Sequence, residues 1–203
     1  MTQPIAEKHG LRATFMPKPF PELTGSGCHV HVSLWQEGRN LFEDPSDPQG
    51  LSRLGYHFIG GLIYSADALT AITNPTVNSY KRINATRTQS GASWSPNMVS
   101  YSGNNRTHMI RVPAPGRVEF RLPDGAANPY LLQASILAAG LDGIRQQRDP
   151  GKRSDFDANA IETGFQANKK LPSNLLDALR ALECNSVLND ALGALVFRYL
   201  HLK

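Results

Sequence analysis

Between Thr24 and Trp35 the chain reads Thr-Gly-Ser-Gly-Cys-His-Val-His-Val-Ser-Leu-Trp, a Gly-rich turn followed by strict alternation. Successive side chains of a strand point to opposite faces. His29, His31 and Ser33 therefore share one face, and Cys28, Val30, Val32 and Leu34 share the other. The apolar face can pack on a core while two imidazoles and a hydroxyl stand together opposite it. Imidazole is a common metal ligand and titrates near neutral pH. A solvated polar face would read the same way.

The pattern recurs in Arg117-Val118-Glu119-Phe120-Arg121-Leu122, where Arg117, Glu119 and Arg121 fall on one face and three apolar residues on the other. A cross-strand ladder of ion pairs is one explanation. Three more arginines lie close by in sequence: Arg106 and Arg111 upstream, and Arg82 in Asn78-Ser79-Tyr80-Lys81-Arg82. Five arginines beside one glutamate and two histidines fit a phosphate and carboxylate site that contains a divalent metal. The planar guanidinium fork binds such oxyanions through two parallel hydrogen bonds.

Bulk properties narrow the alternatives. The chain has 203 residues, enough for one domain with a sizeable core, and a net charge of only +4. Basic residues are scattered, so no stripe tracks a nucleic-acid backbone, and no nucleic-acid partner is expected. The two cysteines, Cys28 and Cys184, lie far apart and form no metal-binding spacing; a reducing, cytoplasmic setting is the expectation. No apolar run approaches the roughly 18 residues of a membrane span.

Periodicity predicts strands at 12–17, 27–35, 97–101, 107–112 and 117–122, with a loop over 36–50. A helical stripe runs from Leu51 through Phe58, Leu62 and Leu69 until Asn74-Pro75 stops it. Residues 76–105, dense in Ser, Asn, Thr and Gly, read as a long mobile loop. Asn128-Pro129 marks a helix start. Further helices are expected at 173–183 and 186–202, after a polar linker.

These blocks carry a family resemblance. Thr14-Phe15-Met16-Pro17-Lys18-Pro19, Gly25-Ser26-Gly27-Cys28-His29-Val30-His31, Asn74-Pro75-Thr76-Val77-Asn78-Ser79-Tyr80-Lys81-Arg82, Asn105-Arg106, Arg117-Val118-Glu119-Phe120-Arg121-Leu122-Pro123-Asp124 and Ala127-Asn128-Pro129-Tyr130-Leu131 resemble glutamine synthetase signatures, in family order, over residues 12 to about 146. Phe20-Pro21-Glu22-Leu23-Thr24 and Ala92-Ser93-Trp94-Ser95-Pro96 resemble the divergent branch that includes γ-glutamylmethylamide synthetases.

The resemblance implies an α+β fold, a curved antiparallel sheet with helices on one side. It implies an ATP-dependent ligase that makes glutamine or a γ-glutamyl amide from glutamate and ammonia or methylamine, through γ-glutamyl phosphate. By motif position, His29 and Glu119 would bind one of two divalent ions, Mg2+ or Mn2+. His31, Ser33, Arg111 and Arg117 would serve ATP; Gly25, Arg82, Arg106 and Arg121 would serve glutamate; and the five arginines together would form the catalytic cluster. Phosphoryl transfer depends mainly on positioning and charge neutralisation, which such groups supply.

Two departures from the family pattern stand out. Trp94 occupies the place of the flap glutamate that handles ammonium, twelve positions before Arg106, which suggests an altered amine site. The family's N-terminal β-grasp domain and first catalytic strands have no counterpart in the sequence. The chain is accordingly expected to be the C-terminal portion of the catalytic domain of a homo-oligomeric enzyme, inactive by itself. A non-catalytic nucleotide- or glutamate-binding fragment or pseudo-subunit is the alternative.

Overall fold

In the computed structural model, residues 2–85, 94–154 and 169–203 are described. The chain opens with α1 (Thr2–Lys8) and an irregular stretch, then β1 (Val30–Val32). Residues 12–17 form no strand. Prolines at 17, 19 and 21 remove backbone donors. The neighbouring backbone bonds to a side chain instead: Lys18 N–H donates to Asn78 Oδ1 at 2.7 Å, and Asn78 Nδ2 donates to the Lys18 carbonyl at 3.0 Å. The expected loop at 36–50 contains a hairpin of β2 (Trp35–Gln36) and β3 (Arg39–Asn40). Its two-residue turn, Glu37-Gly38, has both residues at positive φ (49° and 78°), the geometry that matches strand twist.

The helical stripe divides into α2 (Arg53–Tyr64) and α3 (Ala66–Thr73), with Ser65 ending one and starting the other. Both pieces keep their apolar residues on the core side, so periodicity does not register the break. Next comes α4 (Val77–Ile83), where a loop was expected. Thr76 and Ser79 cap it reciprocally, each hydroxyl accepting the other's backbone N–H at 3.2 Å. The part of the expected mobile loop at 86–93 lies outside the described residues.

Short strands β4 (Tyr101–Ser102), β5 (Ile110–Ala114) and β6 (Arg117–Phe120) follow, then α5 (Pro129–Arg145), α6 (Leu175–Glu183), α7 (Ser186–Leu192) and α8 (Ala194–His201). Asn128 caps α5 as its sequence indicates, accepting from the N–H groups of Tyr130 and Leu131. The helix expected over 186–202 breaks at Gly193, whose φ of 54° and ψ of −132° suit glycine.

The sheet order is β1-β6-β5-β4. Three of these strands run antiparallel, whereas β4 joins β5 in parallel. Val118, Phe120 and Leu122 are fully buried, and they join Ile110 and residues of α2, α3 and α5 in one core. Burying one face of β6 under the helices presents the other face, with Glu119, to the site. Among the described residues no helix is long and apolar enough to cross a membrane.

Candidate active site

Strand register assembles the site. His31 on β1 lies across from Glu119 on β6, and Arg111 on β5 lies across from Glu119 on its other side. Glu119 is 2% exposed. One carboxylate oxygen accepts from Arg111 Nε. The other accepts from Arg121 Nη1 at 3.0 Å and lies 3.3 Å from His29 Nδ1 and 3.8 Å from His31 Nε2. Arg121 Nη1 also lies 3.3 Å from His29 Nδ1. Beyond this ring, Arg111 Nη1 donates to Asn104 Oδ1 at 2.6 Å and Arg121 Nη2 to the Trp94 carbonyl at 3.4 Å. Among the described residues, buried Arg121 Nε finds no hydrogen-bond partner.

The charges set one another. Burial pushes the Glu119 carboxyl up, but the Arg111 hydrogen bond and the charges of Arg121, Arg111 and His29 outweigh it and hold it below the usual carboxylate range. Burial, then the charges of Arg121 and Arg82, pull His29 down to about 4. At neutral pH the site therefore pairs an uncharged imidazole with an ionised carboxylate.

Other expected site residues stand further out. Arg117 is exposed at the start of β6 beyond a register shift, and Arg106 is exposed, near enough to act on Arg121 through its charge. Ser33 Oγ accepts from Trp35 Nε1 at 2.9 Å. Arg82 is buried, and its fork donates to the Leu122 and Arg121 carbonyls at 2.9 and 3.3 Å. Gly25 packs so closely that a Cβ there would sit 2.3 Å from the Pro17 carbonyl and 3.3 Å from the Arg82 side chain. Asn104 and the Trp94 carbonyl had no sequence signal, because each is recruited only by the arginine it meets in space. A separate cavity of about 960 Å³, lined by Lys18, Asn78, Tyr80 and Leu175 among others, does not include the Glu119 cluster.

The donor types of His29 and Glu119 fit a divalent cation: a neutral nitrogen and an anionic oxygen 3.3 Å apart, both facing the positive Arg121 fork. In number they fall short, since no group of three or more His, Cys, Asp or Glu side chains among the described residues is placed to hold an ion.

Comparison with known proteins places this geometry in context. A family model described as glutamine synthetase, catalytic domain, matches residues 1–203. The chain is 62% identical over 196 residues to the glutamine synthetase of Rhizobium leguminosarum bv. phaseoli, covering 96% of this chain and 45% of that protein. It is 46% identical over 204 residues to the glutamate–methylamine ligase of Methyloversatilis universalis, covering 98% of this chain and 46% of the relative. A solved GmaS–ADP complex superposes with a TM-score of 0.92 at 59% identity, over 99% of this chain and 46% of that one. The chain thus spans about half the length of the relatives it matches. An Arg-clamped glutamate between two histidine-bearing and arginine-bearing strands, on this fold and with these relatives, makes the chain a member of the glutamine synthetase family, matching its catalytic domain.

Proposed function

We propose that this chain is the C-terminal portion of the catalytic domain of an ATP-dependent ligase that joins the γ-carboxyl of glutamate to ammonia or methylamine. A γ-carboxylate oxygen attacks the terminal phosphorus of ATP and ADP leaves. The amine nitrogen then attacks the γ-glutamyl phosphate carbon and expels phosphate. The observation that carries this reading is the pair of buried guanidiniums, Arg111 and Arg121, converging with a neutral His29 on one ionised carboxylate. Charges buried this way are costly for stability alone but suit a reaction governed by charge neutralisation.

In this reading Arg121, Arg82 and Gly25 orient glutamate, with Arg106 at the outer edge. Arg111 and Arg117 face the phosphates, and His31 and Ser33 lie beside ATP. His29 and Glu119 would hold Mg2+ or Mn2+, and the ion would neutralise phosphoryl oxygens. Arg121 Nε, buried and without a partner among the described residues, is a donor in reserve for an incoming oxyanion. The family resemblance further supports a homo-oligomer.

Trp94 bears on the acceptor. It is 42% exposed, sits in the left-handed backbone region at φ 55°, and anchors its carbonyl to Arg121. Its indole offers apolar surface and a cation-attracting face to methylamine.

Phosphate release by the full-length protein tests the reading: it should require ATP, glutamate and amine together. Binding of ADP and glutamate without release would favour a non-catalytic subunit, the alternative that fits the lack of three or more grouped metal donors among the described residues.

A further inference from the structure

We propose that Asn74 and Asp124 form a buried positioning pair that holds the glutamate-binding side of the site in register from behind, an inference that rests on the ligase reading. Both residues are fully buried. Asn74 ends α3, and its Nδ2 donates to Asp124 Oδ2 at 2.9 Å and to the Leu122 carbonyl at 3.1 Å. That same carbonyl accepts from Arg82 Nη1 at 2.9 Å, while Arg82 Nη2 reaches the Arg121 carbonyl. The backbone immediately after Glu119 is therefore pinned by α3 and α4 together.

Asp124 extends the hold to the opposite strand. Its Oδ1 accepts from Ala126 N–H at 3.0 Å. Its backbone N–H donates to the Thr73 carbonyl at 3.2 Å, and it is bridged to Gly27 in antiparallel fashion. Cys28 N–H donates to the Pro123 carbonyl at 2.9 Å and Gly125 N–H to Ser26 at 3.2 Å. The turn that presents His29 thus rides on residues 123–125. It cannot drift unnoticed: a Cβ on Gly27 would sit 2.8 Å from His29 Nε2 and 3.1 Å from Arg82 Nη2. An apolar pair would fill the same space without the cost of burying a carboxylate. Directional donors and acceptors instead define one register between two strands.

The test is Asp124→Asn in the full-length protein, beside a helix variant such as Ile59→Val chosen to melt at the same temperature. Kinetics are read well below melting. The glutamate KM should rise at least tenfold over the control, while the ATP KM moves less than threefold. Amide exchange should quicken at 26–29 and 120–125 and stay unchanged in α2 and α5. A glutamate KM and an exchange pattern equal to the control's would overturn the proposal. Should Asp124→Asn not fold, because its amide meets another donor, the swap Asn74→Asp with Asp124→Asn removes that clash yet still leaves Leu122 without its Asn74 donor. It should give the same KM rise. If the wild type itself releases no phosphate, the ligase reading fails, and the exchange pattern alone decides whether the pair sets the register.

Discussion

Along the seam between α2 and α5, Gly61 meets Ala139 and Gly143 so closely that backbone touches backbone, whereas around Glu119 of β6 the buried side chains include the charged groups of Arg111 on β5 and Arg121 just past β6. The two regions are buried to a similar degree for opposite reasons. In the helix pair, removing apolar surface from water is itself the favourable event, and small residues permit dense packing. At β6, taking charges out of water opposes folding, and only mutual hydrogen bonding makes it tolerable. The helix seam stabilises; the strand cluster is tolerated for what it can do. A substitution should therefore unfold the protein in the first region and disable it in the second.

On the seam the expected effect is a large loss of stability alone. A side chain at Gly61 begins with a Cβ 2.0 Å from the Ala139 carbonyl, which is backbone and cannot give way. Gly61→Val should cost about 3 kcal/mol or more, read as a lowered denaturation midpoint. Next comes Glu119. Because it is the acceptor for both Arg111 and Arg121, Glu119→Ala strands two buried guanidiniums and should cost ~3–5 kcal/mol on top of turnover, which blurs the contrast. Glu119→Gln keeps the volume and an acceptor, and should lower kcat by about 10²–10³ while the helices stay folded, by initial rates and circular dichroism.

A smaller effect concerns pH. The folded protein holds His29 near 4 against an ordinary 6.5, so the unfolded chain takes up a proton that the folded chain refuses. This favours unfolding as pH falls from about 6.5 to about 4, so stability should rise with pH across that window. His29→Gln should flatten this part of the profile in denaturant titrations. An unchanged slope would place the titrating group elsewhere. The smallest effect is at Trp94. Trp94→Ala should lower kcat/KM for methylamine relative to ammonia by the ~0.5–2 kcal/mol of a cation–π contact, about two- to thirtyfold. Ammonia preference equal in both proteins would leave Trp94 as a packing residue.

The same contrast explains what the sequence discloses. Alternation placed Val118, Phe120 and Leu122 in the core and put Glu119 and Arg121 on the other face with His29 and His31, because a period of two is local information. The Asn128 cap of α5 was equally local. By contrast α4, at seven residues, is too short for an apolar stripe, and its Thr76–Ser79 box uses serine where glutamate or glutamine is the stronger signal. The breaks at Ser65 and Gly193 hid inside continuous stripes. Arg117 shares the parity of Glu119, yet the irregular pairing between Arg111 and Ala114 leaves it exposed beyond the cluster. Arg82 was legible as part of a motif, but its use on two backbone carbonyls depends on how α4 meets β6, which no spacing encodes.

Melting temperature and glutamate-dependent phosphate release, taken in the full-length protein on the same preparations of Glu119→Gln and a seam-side variant such as Ile136→Val, test the division most directly. Glu119→Gln should lose at least a hundredfold in kcat with little change in melting, while Ile136→Val should melt about 0.5–1.5 kcal/mol less stably with kcat intact. If Glu119→Gln turns over like the wild type, the cluster is a structural ion-pair network and the account of the site is wrong.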